Sequence, residues 1–156
     1  KSLWLNNEKI EKLGWGSEEL NNYRNRYIKY LKIIGRGENY INETKRSSLE
    51  IIKKFGNPKS SNAFFTRGLV VGSVQSGKTA NFNAVINSAI DTGYSLIIVL
   101  SGIMEDLRQQ TQRRIEADVE GKFEKGDFIG VGRIVSFGQN GDEPDVKAIS
   151  VPTSIY

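Results

Sequence analysis

Residues 72–79 have the spacing G-x-x-x-x-G-K-T, a pattern that binds phosphate groups when it joins a strand to a helix. Glycines let the backbone turn so that successive N–H groups point at an anion. Lys78 would bring positive charge to the β- and γ-phosphates, and the Thr79 hydroxyl would complete a Mg²⁺ shell. We predict a nucleoside triphosphate site with Lys78 as the catalytic residue, Thr79 as the Mg²⁺ ligand, and ATP and Mg²⁺ as cofactors. The predicted nucleotide contacts are Gly72, Gln75, Ser76, Gly77, Lys78 and Thr79.

Two predicted elements position this loop. The apolar run 68–71 before it reads as a short buried strand, and 79–92 after it reads as a helix closed by Gly93. The helix would add the positive end of its dipole to the phosphate site. The alternative is a glycine-rich turn that precedes a Lys-Thr pair by chance, and the strand–loop–helix context disfavours it. In this helix we expect Phe82, Val85, Ile86, Ala89 and Ile90 to face inward and Asn81, Asn83 and Asn87 to face outward.

A second apolar run at 94–100 predicts another strand, of the kind found inside a parallel sheet, and 103–118 predicts a helix. A third strand is a candidate at 131–137. Strands alternating with helices predict right-handed crossovers and an α/β fold. The predicted fold is a three-layer P-loop NTPase-like parallel sheet, present in part over residues 63–156, with ligands beyond the carboxyl ends of its strands.

Residues 1–62 predict a basic helical N-terminal region that precedes this domain. One helix is expected over 17–34, and a second over 43–55 ends before the polar stretch 58–62. In the first helix the expected inward stripe is Leu20, Tyr23, Tyr27, Leu31 and Ile34, and the expected outward face is Arg24, Arg26, Lys29 and Lys32. Residues 1–67 hold 14 of the 22 Lys and Arg but only 7 of the 18 Asp and Glu. This surplus indicates either a polyanionic partner or solvated helix surfaces.

The amino-acid composition excludes several kinds of catalytic and metal-binding site. The 156 residues contain no Cys and no His, which excludes disulfides, thiolate or imidazole metal sites and a histidine base. No apolar run is long enough to span a bilayer and no signal-peptide pattern is present, so we expect a cytoplasmic protein without a membrane partner. The first residue is Lys1 rather than Met, which suggests a piece of a larger protein.

The sequence contains no clear candidate for the acidic residue that an ATP-hydrolysing site requires. Hydrolysis ordinarily requires an acidic residue at the end of a second apolar strand to hold Mg²⁺ and orient water. The run 94–100 ends in Ser101 instead, and the acidic stretch 142–145 follows a glycine-rich loop, which favours a solvated loop over a metal site. We expect the acidic residue, and the rest of the catalytic machinery, beyond Tyr156.

Three segments are more distinctive than the bare loop: RGLVVGSVQSGKT at 67–79, GYSLIIVLSG at 93–102 and LRQQTQRRI at 107–115. Together they resemble the motor region of Z-one-domain proteins, a bacterial family of endonucleases that carry a superfamily-two helicase-like ATPase. The resemblance is strong over about 64–121, weaker over 17–55 and not evident after 122. It implies an ATP-dependent protein that acts on DNA, in restriction or defence. By position it implies DNA contacts at Ser101, Gly102, Arg108 and Gln110.

Three functions follow from these patterns. The favoured one is the ATP-binding part of a helicase-like, DNA-acting enzyme whose remaining parts lie beyond Tyr156. A small-molecule kinase is an alternative, although the glutamine-rich helix at 108–115 argues against it. A non-catalytic module, in which bound nucleotide organises assembly and the basic helices dock a partner, is the third.

Overall fold

The computed structural model describes residues 4–17, 22–71, 77–101 and 104–120. Helices account for 59% of these residues and no strand occurs among them, so the predicted α/β parallel sheet is wrong. The two described runs predicted as strands, 68–71 and 94–100, have no regular secondary structure, and Leu69 and Leu100 are 87% and 90% exposed. A strand is stabilised by hydrogen bonds to a neighbouring strand, and no described residue supplies one. The candidate strand 131–137 and the acidic stretch 142–145 lie outside the described residues.

Five α-helices lie among the described residues; one has the predicted bounds to within one residue, and the helix predicted over 17–34 begins later, at Tyr23. In chain order they are α1 (Asn7–Lys12), α2 (Tyr23–Ile33), α3 (Glu38–Ile52), α4 (Lys78–Thr92) and α5 (Glu105–Ile115), with a π-helical turn at Glu116–Glu120 after α5. Asn22 caps α2 by accepting a hydrogen bond from the Asn25 N–H at 2.8 Å. Gly93 ends α4 with φ +104°, which confirms the predicted stop. Helix α3 begins earlier than the predicted 43–55, because Gly37 serves as its N-cap.

The chain divides into two compact units, Lys1–Ser95 and Leu96–Tyr156. In the first unit, α2, α3 and α4 pack against one another. Small buried side chains on α4, those of Ala80, Ala84 and Ser88, let the neighbouring helices approach its backbone. The polar stretch 58–62, where the sequence predicts a domain boundary, lies within this unit. The assignment of 1–62 and 63–156 to separate functional regions stays a prediction.

A hydrophobic cluster joins α1 to the ends of α3 and α4. Its buried centre is Leu5, Ile52 and Ala89, and partly buried apolar side chains surround it. The Trp4 indole N–H donates to the Phe55 carbonyl. The surrounding side chains are Trp4, Ile10, Leu13, Trp15, Leu49, Phe55 and Tyr94. This cluster fixes the C-terminal end of α4, and therefore the direction in which its N-terminus points.

The expected faces of α2 are only partly confirmed. Tyr27 and Leu31 are buried as predicted, whereas Ile34 is exposed and Leu20 lies outside the described residues. The prediction that Arg24 and Arg26 face solvent is wrong, because both are buried.

The expected faces of α4 also need correction. Val85, Ile86 and Ala89 are buried as predicted, but Phe82 is 43% exposed. Asn83 and Asn87 are fully buried rather than outward-facing. The reason is that α4 contacts both α2 and α3, so its buried surface is wider than one apolar stripe.

The second unit contains α5 and the π-helical turn. No residue of α5 is buried, and Val119 and Glu120 are buried in the turn that follows. None of the helices among the described residues is both long and apolar enough to cross a membrane.

Candidate functional site

The N-terminus of α4 is the described part of the predicted phosphate loop. Gly77, the N-cap residue, has φ +72° and ψ +25°, a left-handed conformation that favours glycine. Amide groups in the first helical turn have no acceptor within their own helix, and Gly77 has no side chain to supply one. Such amides, together with the positive end of the helix dipole, attract anions.

Lys78 and Thr79 are the first two residues of α4, and both are exposed. The Lys78 side chain forms no ion pair with any residue that the structure describes. The other predicted contacts, Gly72, Gln75 and Ser76, lie outside the described residues. The structure therefore brings Gly77, Lys78 and Thr79 together at one helix end, and the roles predicted for them remain predictions.

Tyr40 lies against this helix end, a feature that sequence reasoning missed. A Cβ atom built on Gly77 would lie 3.0 Å from Cε2 of the Tyr40 ring and 3.4 Å from its hydroxyl oxygen. The Arg36 guanidinium sits over the same ring, 5.3 Å from its centroid. A tyrosine near the start of a helix carries no sequence signal for such a contact, because Tyr40 and Gly77 are distant in the chain.

A buried arginine fixes α4 against the other two helices. Arg24 of α2 is 5% exposed, and its guanidinium donates to the Ser48 hydroxyl at 2.9 Å and the Ser88 hydroxyl at 2.8 Å. It also donates to the Lys45 carbonyl oxygen at 2.6 Å. Burial lowers the Arg24 pKa to about 10, although the charge of Asp91 acts in the opposite direction. Residues of α3 and α4 thus share one donor group from α2.

Asp91, in the last turn of α4, holds the first turn of α2. Its carboxylate accepts from the Tyr23 N–H at 2.8 Å, the Arg24 N–H at 3.0 Å and the Trp15 indole N–H at 2.9 Å. Burial raises the Asp91 pKa, and these hydrogen bonds and the charge of Arg26 offset part of that effect. The carboxylate therefore acts as a cap supplied from another helix.

Two of the four implied DNA contacts, Arg108 and Gln110, lie on α5. Ser101 is half-buried, and Gly102 lies outside the described residues. Arg108 forms an ion pair with Glu105 on its own helix and donates to Gln112 at 3.1 Å. The hydrogen bond from Arg108 lowers the Glu105 pKa to about 2. Arg108 therefore carries a charge that a neighbour already neutralises.

Gln110 lies on a different part of α5. It lies on one face of α5 together with Asp106, Gln109, Arg113 and Arg114. Sequence reasoning named Gln110 but not the two arginines. Their recurrence seven and eight positions after Asp106 could have identified them as one helix face.

The described residues contain no cluster of three or more His, Cys, Asp or Glu side chains suited to a metal ion. The role of Thr79 as a Mg²⁺ ligand stays a prediction. The exposed position of Thr79 at the helix start fits that role.

Comparison with protein-family models, curated proteins and solved structures gives no match to this chain. The resemblance to Z-one-domain proteins accordingly rests on the three quoted segments alone.

Proposed function

We propose that this chain binds ATP with Mg²⁺ through the loop that precedes α4. The observation that carries the proposal is the left-handed Gly77 at the start of α4, followed directly by the exposed Lys78 and Thr79. The sequence motif, the backbone conformation of Gly77 and the exposure of Lys78 and Thr79 all suit phosphate binding at the start of α4. The order matches the requirements of triphosphate binding: a glycine turn, a helix N-terminus, a lysine and a hydroxyl.

The absence of a sheet from the described residues does not remove the chemical basis of this site. Phosphate is attracted by backbone amides, by the helix dipole and by lysine, all of which belong to the loop and α4. Packing of α4 against α2 and α3 holds the helix in position. Lys78 would stabilise negative charge on the outer phosphates, while Mg²⁺ supplies further charge neutralisation when bound.

The broader part of the proposal is that this chain supplies ATP binding to a DNA-acting, ATP-dependent activity in the cytoplasm. Its support is the basic balance of residues 1–67, the quoted motif segments, and Arg113 and Arg114 on an exposed part of α5. Cations aligned on an exposed helix face suit the phosphate backbone of DNA.

A non-catalytic assembly module is the second candidate. One observation favours it: α4 has the loop at its first residue and Asp91, which caps α2, in its last turn. A nucleotide that positions α4 would also position α2. An assembly module would retain nucleotide affinity, with no turnover when DNA is added.

The first test is titration of the protein with a fluorescent ATP analogue and Mg²⁺, comparing wild type with Lys78→Ala. Removing a charge-assisted phosphate contact costs about 1.5–3 kcal/mol, which corresponds to roughly a ten- to hundredfold loss of affinity. Lys54→Ala is a matched control, since Lys54 is an exposed lysine at the end of α3. Equal affinity in all three proteins would refute the loop as the nucleotide site.

The DNA part is tested separately by fluorescence anisotropy with a labelled oligonucleotide at several salt concentrations. We expect Arg113→Ala to weaken binding and to reduce the salt dependence by about one phosphate contact. Arg108→Ala should have a smaller effect, because Glu105 already pairs with that arginine. No affinity for DNA in the wild-type protein would contradict this part alone.

A further inference from the structure

Two consecutive phenylalanines follow the polar stretch 58–62, and the fold anchors one of them and exposes the other. The Phe64 ring packs so closely on Gly56 that a Cβ atom built on that glycine would lie 2.0 Å from a ring carbon. The Gly56 carbonyl oxygen in turn accepts a hydrogen bond from the Tyr94 hydroxyl at 2.8 Å. Phe65, by contrast, is 79% exposed. Phe64 therefore fixes the chain at the point where the Phe65 ring is presented to solvent.

Two cations accompany these rings. The Arg67 guanidinium sits over the Phe65 ring, 4.8 Å from its centroid. The Lys59 side chain lies against Gly93, the neighbour of Tyr94, with its Cε 3.2 Å from the position of a Cβ on that glycine. Both cations are exposed, and neither forms an ion pair with any residue that the structure describes. Their charges are therefore available to an anionic partner.

The sequence around the two rings carries no acidic residue. Residues 51–90 contain five Lys and Arg and no Asp or Glu. An exposed aromatic ring among positive charges suits a polyanion that also offers flat apolar groups. Single-stranded nucleic acid has both properties, because its phosphates are negative and the faces of its bases are open for stacking. In a duplex the bases already stack on one another, so an exposed ring gains no such contact.

We propose that Phe65 is a stacking platform for a base of single-stranded nucleic acid, and that Arg67 and Lys59 bind phosphates of the same strand. This inference rests on the DNA part of the function proposed above and is independent of the ATP site. Arginine suits the role because a guanidinium that lies on a ring can still donate two parallel hydrogen bonds to a phosphate. Phe65 belongs to the first compact unit, so this surface is distinct from the arginines of α5.

The test measures dissociation constants by fluorescence anisotropy for a short thymidine oligonucleotide, a duplex that contains it and an abasic strand of equal length. We expect wild type to bind the thymidine strand more tightly than the other two. Phe65→Ala should weaken binding of that strand about five- to hundredfold, as expected for one lost base stack, and Phe65→Trp should preserve it. Phe82→Ala is the matched control, because Phe82 is an exposed phenylalanine of α4. Thermal melts followed by circular dichroism establish that each variant is folded.

The salt dependence of binding separates stacking from charge. Arg67→Ala and Lys59→Ala should each reduce the slope of log affinity against log salt concentration by about 0.7, the value for one phosphate contact on a single strand. Phe65→Ala should lower the affinity without changing this slope. Arg46→Ala is the matched control for charge, because Arg46 is an exposed arginine that pairs with Glu43. It should change neither quantity.

Several outcomes would overturn the inference. Unchanged affinity in Phe65→Ala would refute it, and a loss in Arg113→Ala in the same assay would leave the DNA part of the proposed function standing. Equal affinity of wild type for the strand and the duplex would also refute it. So would light scattering that shows a dimer for wild type and a monomer for Phe65→Ala, because the ring would then be buried between two copies of the chain. No affinity of wild type for any oligonucleotide would refute the inference and the DNA part together.

Discussion

Replacing Gly77 by alanine separates two costs that the structure places at one residue. The first is the left-handed backbone, φ +72°, which costs a residue with a Cβ about 1–2 kcal/mol. The second is the contact of that Cβ with the Tyr40 ring at 3.0 Å, which forces the ring to shift. We expect Gly77→Ala to destabilise the protein by more than the backbone cost alone.

Two other glycines provide the controls. Gly35 has φ +81° but nothing within 4 Å of its Cβ position, so Gly35→Ala should show only the backbone cost. Gly37 has open space and no positive φ but is the N-cap of α3, so Gly37→Ala should show only the loss of a glycine N-cap, a cost that Gly77→Ala shares. Urea unfolding of the three variants, followed by circular dichroism, measures each free energy of unfolding.

A double variant completes the experiment. In the background Tyr40→Ala the ring is gone, so adding Gly77→Ala should cost about as much as Gly35→Ala does in wild type. The difference between the two backgrounds is the coupling between the ring and the loop. If Gly77→Ala costs no more than Gly35→Ala in the wild-type background, Tyr40 does not lie against the start of α4.

Two further predictions concern the buried polar network. Arg24→Ala should destabilise the protein by about 2–4 kcal/mol in urea unfolding, since two serine hydroxyls and a carbonyl lose a charged donor. Arg24→Met keeps much of the side-chain volume but also lacks the donors, so it should lose nearly as much stability as Arg24→Ala, and a much smaller loss would contradict this account. For Asp91, burial raises the folded-state pKa above 3.8, so its contribution is fully present below that pH and is lost as the pH rises through the folded pKa. Asp91→Asn should flatten this decline in urea melts between about pH 3 and pH 7, and an unchanged slope would refute it.

The start of α4 could be predicted from sequence because its signals are local. A glycine before Lys-Thr, and a second glycine after the last helical residue, place the ends of α4 within one residue of Lys78–Thr92. The same local reasoning found α2 and most of α3. These elements depend on residues a few positions apart, which sequence patterns report well.

The predictions that were wrong concern contacts between residues that are far apart in the chain. Runs such as 94–100 have the composition of buried strands, but a strand requires a partner strand, and composition does not supply one. Arg24 was expected in solvent because helix charges usually lie there, and only its acceptors on α3 and α4 make its burial tolerable. Tyr40 approaches Gly77 only because α3 and α4 pack together, so the contact between the two residues cannot be predicted from the sequence around either of them.

The hydrogen bond between Asp91 and the Trp15 indole links the position of α4 to the fluorescence of a tryptophan. Lys78 and Asp91 are 13 residues apart on one helix, a span of about 20 Å at 1.5 Å per residue. A movement of α4 along its axis at the loop end would therefore change the 2.9 Å contact between Asp91 and the Trp15 indole. Since tryptophan emission depends on the polarity and hydrogen bonding of the indole, Trp15 can register events at the loop without an attached dye.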